Sequence, residues 1–453
     1  MSVPHDAPAA PAQLPGAASL ATPGAVRGLI GPLLDALADG AAARGGPLPA
    51  GGPDALGPLA EVLPEHGVGV GAVAEVARLL AAGSADPADP WCAAHLHCPP
   101  LAVAVAADLA ASALNPSMDS WDQAPSASAL ERQVTDALAR LCYPDAAEPD
   151  ALITTGGSDS NLHGLLLARE KHGRITPVCG RNAHHSVARA AWLLGLPAPL
   201  LVDCADDRVR PAALAAALAS VEGPVAVVAT AGTTNSGSID PLPEIAALGA
   251  DWLHVDAAYG GGLLFTADRG LLAGMEAADS VALDLHKFGW QPIAAGLFAV
   301  REAADLRAMA ASADYLNADD DTEAGLPDLL GRSLRTSRRP DAVKIAATLR
   351  ALGRHGLGAL VEACRTTAAR VADAVEANPE LELWARPELS TVVFRPTGEC
   401  DVAALRRRLL DEGRAVLGRA RLGGLWLKLT LLHPHTTAAD YLPLLDLVAK
   451  AAR

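Results

Sequence analysis

From about residue 150 the chain alternates short, almost wholly apolar runs with stretches of helical character, and this alternation restricts the fold more than any other feature. "PVAVVAT" (Pro224 to Thr230), "DWLHVDAA" (Asp251 to Ala258), "SVALDLH" (Ser280 to His286) and "AGLFAV" (Ala295 to Val300) read as strands. They lack the in-out alternation of a half-exposed sheet, so both of their faces must be covered. Intervening segments such as "PLPEIAALGA" suit crossover helices. The expectation is an α/β fold with a mostly parallel central sheet flanked by helices. After about residue 340 a long helical stretch, "DAVKIAATLRALGRHG", leads into a smaller α+β region. That region has strands at "STVVFRP" and "LWLKLTLLHP" and a final helix in "TTAADYLPLLDLVAKAA".

A chain of 453 residues exceeds what one compact core serves,. The expected division is an Ala/Pro-rich, poorly ordered tail at 1–24, an N-terminal helical segment at 25–100 that packs on a dimer partner, the large α/β domain at 101–340 and a small C-terminal domain at 341–453. Helices are expected over Val26 to Ala43, over Leu101 to Leu114 as a buried element, and over Ser126 to Tyr143, where Ser128 and Glu131 have capping-box spacing,. A net charge of -16 argues against nucleic acid or an anionic membrane as partner,. The seven cysteines form no C-x-x-C, the N-terminus lacks a basic stretch followed by an apolar core, and no apolar run reaches the roughly 18 residues of a membrane span,. A cytoplasmic protein with reduced thiols is the expectation. "WCAAHLHC" gathers Cys92, His95, His97 and Cys98, but structural zinc sites join two separated ligand pairs and none follows, so no metal is expected,. His433 and His435 read as loop residues.

In an open α/β sheet, ligands sit beyond the carboxyl ends of the strands. One strand ends in "TTGGSDSNLHGLLLARE" (Thr154 to Glu170), a Gly-rich turn opening a helix whose first N–H groups suit a phosphate,. Gly156 and Gly157 permit close approach and Ser158 adds a hydroxyl, although such a turn is also a plain strand-helix link. A second strand ends in Ala-Gly-Thr-Thr, which brings Thr233 and Thr234. A third ends in Asp256, an acid that would otherwise serve as a turn former,. The fourth ends in His286 and Lys287. The chain has only five lysines among its 36 basic residues. Unlike arginine, a lysine can lose its proton to its surroundings and become a nucleophile. A phosphate cradle, hydroxyls, a carboxylate and a nucleophilic lysine, in this order, are the parts that bind pyridoxal 5'-phosphate.

The stretches "TTGGSDSNLHGLLLAR", "NAHHSVARAAWLLG", "ATAGTTNSGSIDPL", "HVDAAYGG" and "SVALDLHK" together resemble the group II pyridoxal-phosphate-dependent amino-acid decarboxylases, within the fold-type I (aspartate aminotransferase-like) enzymes. "LHCPP", "NPSMDSWDQAPSASALE", "SADYLN", "SLRTSRRPDAVK" and "LKLTLLHPHTT" resemble the branch acting on diamino acids: L-2,4-diaminobutyrate, or lysine and ornithine in siderophore pathways. The resemblance implies Lys287 as the Schiff-base lysine, Asp256 at the ring nitrogen, and His184 on one ring face with Ala258 on the other. It places Gly157, Ser158, Thr233 or Thr234, and His286 at the phosphate. Arg338 or Arg339 would reach the phosphate across a homodimer interface.

The chain departs from the family pattern in "NADDDTEAGLPDLLGRS" (Asn317 to Ser333), which lacks the tyrosine that reprotonates Cα in many members. Tyr315, His184 and Lys287 are the remaining candidates, and oxidation to an aldehyde stays open as an alternative outcome. Asp119 and Asp122, flanking Trp121, are candidates for holding a distal ammonium, or else surface turn residues. An aminotransferase would need an arginine for the α-carboxylate, and Arg395 is available in "VVFRP". A catalytically silent cofactor-binding relative is the third alternative.

Overall fold

The computed structural model describes residues 16–59, 61–310, 316 and 319–451. Tyr315 and most of the expected N-terminal tail lie outside them. Thirteen strands form in the order β1 (Asp150–Thr154), β2 (Thr176–Gly180), β3 (Leu200–Val202), β4 (Cys204–Ala205), β5 (Arg208–Val209), β6 (Val225–Thr230), β7 (Trp252–Asp256), β8 (Ser280–Asp284), β9 (Gly296–Val300), β10 (Leu381–Leu383), β11 (Thr391–Pro396), β12 (Gly418–Arg421) and β13 (Leu425–Thr430). Seven of them make the main sheet, ordered β1-β9-β8-β7-β6-β2-β3. Every neighbouring pair is parallel except those of β9, which runs against both β1 and β8. A four-stranded antiparallel sheet, β10-β11-β13-β12, carries the C-terminal region.

The continuous apolar strands are buried on both faces. Val225, Val227 and Ala229 of β6 join Leu253, Val255, Val281 and Leu283 in one core. The alternate residues Ala226 and Val228 join Trp252 and Phe298 in the other, as the two-residue period requires. The helices are α1 (Pro23–Arg44), α2 (Gly71–Gly83), α3 (Ala102–Leu114), α4 (Pro125–Cys142), α5 (Gly157–His172), α6 (Ser186–Leu193), α7 (Pro211–Ser220), α8 (Leu242–Ala246), α9 (Asp319–Glu323), α10 (Ala342–Ala377), α11 (Val402–Asp411) and α12 (Ala438–Ala451). Helices α5 and α6 bury Leu165, Leu167, Val187 and Ala190 in the second core.

Two expectations about helices need correction, and the compact units divide the chain elsewhere than the expected domains. The described residues fall into two compact units, one within Met1–Cys92 and Arg407–Val416, the other within Ala93–Arg406 and Leu417–Arg453. The small C-terminal sheet falls in the same compact unit as the large sheet. Helix α3 is not a buried element: Ala104 and Ala111 are buried, but Val105 is 47% and Leu114 81% exposed. Ser128 and Glu131 form no capping box, because Pro125 starts α4 one turn earlier and Ser128 Oγ bonds back to the Pro125 carbonyl at 2.9 Å.

Glu131 instead faces Arg338, the residue expected at the phosphate. Two parallel hydrogen bonds of 2.7 and 2.6 Å run from the guanidinium to the Glu131 carboxylate, and both side chains are buried. Within the chain, a buried guanidinium committed bidentately to one carboxylate has little left for a phosphate. Arg338→Ala is expected to cost about 3–5 kcal/mol by leaving Glu131 charged and unpaired, whereas Arg338→Met with Glu131→Leu regains most of the loss. Urea unfolding of the two variants measures this, and titration of the folded single variant with pyridoxal phosphate should show unaltered affinity.

Candidate active site

Five chain segments converge beyond the carboxyl ends of the main-sheet strands around a cavity of about 270 Å³. Strand β1 delivers Thr155, Gly156, Gly157 and Ser158. The β2–α6 loop supplies His184, and the segment after β6 supplies Gly232 and Thr234. Strand β7 ends in Asp256, followed by Ala258 and Tyr259, and β8 ends in Asp284, followed by His286 and Lys287. Leu96 and Ile293 complete the lining.

The turn at Gly156 is glycine-dependent twice over. Its φ is +147°, a conformation side-chain-bearing residues avoid, and a Cβ there would stand 2.8 Å from the His286 ring,. A Cβ on Gly157 would stand 2.9 Å from the Ala258 Cβ. The two glycines thus leave an open cradle at the start of α5, a helix of 16 residues whose first N–H groups point outward,.

Lys287 Nζ lies 2.8 Å from Asp284 Oδ2, one turn earlier in the chain. The other oxygen, Oδ1, is buried with no partner. His286 commits its Nδ1–H to the Ala295 carbonyl at 3.0 Å and sets Nε2 3.6 Å from Asp284. Burial lowers the His286 pKa, with Asp284 opposing it. Asp159, in the first turn of α5, also borders the cavity. Burial would raise its carboxyl, but hydrogen bonds from His163 and Thr155 outweigh that and hold it at about 2.

Asp256 is buried and anchored at both oxygens. Asn161 Nδ2 donates to Oδ2 at 2.8 Å, and the Ala258 backbone N–H donates to Oδ1 at 3.1 Å. Behind it on β7, His254 lies on the same face by the strand period and is wholly buried between Asn161 and Ser280. Burial pushes its pKa down to about 4 despite the nearby Asp256 carboxylate. His184 is likewise lowered, by burial first, with Asp256 opposing.

Of the expected residues, Lys287, Asp256, His184, Gly157, Ser158, Thr234, Ala258 and His286 meet at this cavity. Thr233 turns away and gives its hydroxyl to Asp207, which also accepts from Ser236. Within the chain, Asp119, Trp121 and Asp122 do not line it. Asp119 accepts from Gln123 and Ser337, Asp122 accepts from Ser120, and Trp121 borders a separate cavity beside Arg132 and Leu329. Arg395, the arginine that an aminotransferase reading would use, pairs with Glu382 at 2.7 Å and stacks on Trp426. Sequence reasoning missed Asp284, Asp159, Asn161 and His254. Only Asp284 carried a signal, its place three residues before the lysine on a strand that is otherwise apolar.

The donor set fits pyridoxal phosphate: an open glycine cradle at a helix start, an anchored carboxylate and an amine share one cavity, and the buried Asp284 oxygen awaits a partner. These features fit a pyridoxal-phosphate enzyme, with the candidate lysine directly after the buried strand β8. The comparisons narrow this further. The chain belongs to the family of the pyridoxal-dependent decarboxylase conserved domain, whose model matches residues 71–397. It is 41% identical over 416 residues to an L-2,4-diaminobutyrate decarboxylase of Rhizobium meliloti (strain 1021), covering 86% of this chain and 84% of that one. An L-2,4-diaminobutyrate decarboxylase of Acinetobacter baumannii is 34% identical, with 80% of each chain covered. Among solved structures, the glutamate decarboxylase domain of diaminobutyrate-pyruvate transaminase and L-2,4-diaminobutyrate decarboxylase from Vibrio parahaemolyticus superposes with a TM-score of 0.81 at 31% identity, covering 94% of this chain and 95% of that one.

Two outcomes follow from this geometry. Gly156→Ala is expected to lose about 1–3 kcal/mol of stability from the strained φ and to weaken cofactor binding; thermal unfolding and fluorescence titration with pyridoxal phosphate read these separately. His254 is neutral in the folded chain and has an ordinary pKa when unfolded, so the unfolded state binds the extra proton first on acidification. Stability is full above the unfolded value and is lost as pH falls from about 6.5 toward about 4, by roughly 3 kcal/mol in total,. Urea midpoints across that range should slope less in His254→Gln than in the parent chain.

Proposed function

We propose that this decarboxylase acts on an L-diamino acid, with 2,4-diaminobutyrate preferred over ornithine and lysine, releasing CO₂ and the diamine. The observation that carries the substrate assignment is the 41% identity to a diaminobutyrate decarboxylase across most of both chains. The place of Arg395, tied to Glu382 outside the cavity, speaks against an aminotransferase.

Bound pyridoxal phosphate supplies an aldehyde that condenses with amines and a ring that withdraws electrons from Cα. The chain's own residues do the rest. Lys287 would hold the aldehyde end of the cofactor at this cavity. Asp284, 2.8 Å away, receives the freed Lys287 amine and keeps it at the site. Asp256, fixed by Asn161 and the Ala258 N–H, keeps a proton on the ring nitrogen by Coulombic attraction in a buried setting,. His184 and Ala258 would pack on the two ring faces, and the Gly157 N–H, Ser158 and Thr234 would hold the phosphate. Lys287, kept beside Asp284, and His184 are the two expected proton donors that the cavity would offer to Cα.

The working form is a cytoplasmic homodimer with its active sites at the interface. Among the described residues no helix is long and apolar enough to cross a membrane. Ile293 lines the cavity yet is 68% exposed, and α3 presents Val105, Leu109 and Leu114 to solvent, an apolar surface suited to a second copy of the chain.

Mass spectrometry of the holoenzyme incubated with 2,4-diaminobutyrate, ornithine, lysine, glutamate and aromatic amino acids tests the assignment. The expected result is 1,3-diaminopropane from 2,4-diaminobutyrate at the highest kcat/KM, with Lys287→Ala inactive. Turnover of glutamate or an aromatic substrate alone would overturn the substrate class. An aldehyde with ammonia would replace simple decarboxylation by the oxidative alternative.

A further inference from the structure

Beneath the cavity runs a branched chain of hydrogen bonds in which Asp256 and the Asn161 amide fix most of the donors and acceptors. It starts at Asp256, an acceptor only. Asn161 Nδ2 lies 2.8 Å from Asp256 Oδ2 and 2.8 Å from Ser186 Oγ, so both amide hydrogens are spent. The amide oxygen therefore faces His254 Nε2, also at 2.8 Å, and can only accept,. His254 must carry its proton on Nε2, which leaves Nδ1 as an acceptor for the Ser280 hydroxyl at 2.8 Å. Ser280 Oγ in turn accepts the indole N–H of Trp252 at 3.1 Å.

The second branch leads back to the cavity. Ser186 Oγ, having accepted from Asn161, has its own hydrogen free, and its neighbour at 2.8 Å is His184 Nδ1. The Ser186 backbone N–H points at the same nitrogen from 3.4 Å. The backbone N–H aimed at His184 Nδ1 makes that nitrogen the acceptor of the pair, which leaves the proton of the neutral ring on Nε2,. Asn161, His254, Ser280 and Ser186 are all nearly inaccessible to solvent, so no water competes for these bonds. Gly164 makes room for the arrangement, since a Cβ there would stand 2.7 Å from His254 Nδ1.

We propose that Asn161 is a positioning residue that ties the charge of Asp256 to the tautomer of His184, with Ser186 as the relay. The proposal rests on the assignment of Asp256 and His184 to the cofactor ring. An ionised Asp256 orients the Asn161 amide, the amide orients the Ser186 hydroxyl, and the hydroxyl holds His184 as the Nε2–H form. The carboxylate at the ring nitrogen and the imidazole at the ring face are then set together.

Asn161→Ala and Ser186→Ala separate the two halves of the relay, with Ser186→Thr as the conservative variant. Removing a hydrogen bond to a charged group is worth roughly tenfold to a hundredfold. Asn161→Ala should lower both cofactor affinity and kcat by about that factor, and shift the absorption maximum of the bound cofactor. Ser186→Ala should leave cofactor affinity unchanged yet move the acid limb of the kcat–pH profile upward, since His184 can now take a proton at Nδ1. Ser186→Thr should restore the parent profile. Long-range ¹H–¹⁵N spectra of histidine-labelled apoprotein should show His184 as the Nε2–H tautomer in the parent and a mixture in Ser186→Ala. Parent-like pH profiles, cofactor spectra and histidine tautomers in folded alanine variants would make the network structural only and overturn the proposal. If Asn161→Ala fails to fold, Ser186→Ala alone decides, by its tautomer and acid limb. Failure of the cofactor assignment would look different: the parent chain would then titrate His184 independently of cofactor, and Lys287→Ala would bind pyridoxal phosphate as well as the parent.

Discussion

A carboxylate held away from water is stable only if donors replace the hydration it has lost. Asp256 meets this condition with the Asn161 amide and the Ala258 N–H, and much of the large unit is arranged around it. The donor amide must come from α5, so α5 lies across β7 with a glycine, Gly164, at the crossing. The side chains of β7 that face α5 then form a polar line of Trp252, His254 and Asp256 within a strand that is otherwise core. The opposite face of the same strand, Leu253 and Val255, stays wholly apolar.

The parts of this arrangement that were legible in the sequence are those with a local signature. Strands buried on both faces announce themselves as unbroken apolar runs, and four of the seven main-sheet strands were placed to within about two residues. The glycine turn, Asp256 and Lys287 were legible because strand ends in a parallel sheet share one edge, so residue types at those ends can be read as one set. The resemblance to known decarboxylases added His184 and Ala258, which have no local signature.

What was not legible depends on distance or on the orientation of a surface. Glu131 and Arg338 stand 207 positions apart, and nothing near either residue indicates the partner. Ser128 and Glu131 have capping-box spacing, but the proline three residues earlier starts the helix sooner and wins. The run Ala102–Leu114 is apolar on nearly every side, so it has no polar face to show which side meets solvent. Asn161 and His254 matter through contacts that span a helix crossing, and each alone reads as an ordinary polar residue in an apolar element. Thr233 and Thr234 are adjacent and chemically alike; only the hairpin of β4 and β5, with Asp207 at its tip, decides which of them turns away from the cavity.

The pairing of β1 has a consequence for how the enzyme comes into being on the ribosome. β1 has a single neighbour in the sheet, β9, and the strands that separate them in sequence all pair with one another elsewhere. During synthesis, β2, β6, β7 and β8 can assemble while β1 still lacks a seat, because residues Gly296–Val300 have not yet emerged. The glycine turn that hangs from the end of β1 is therefore among the last parts of the sheet to be fixed. Translation must run past residue 300 of 453 before the glycine turn is seated in the sheet, so cofactor supply cannot guide the early steps of folding.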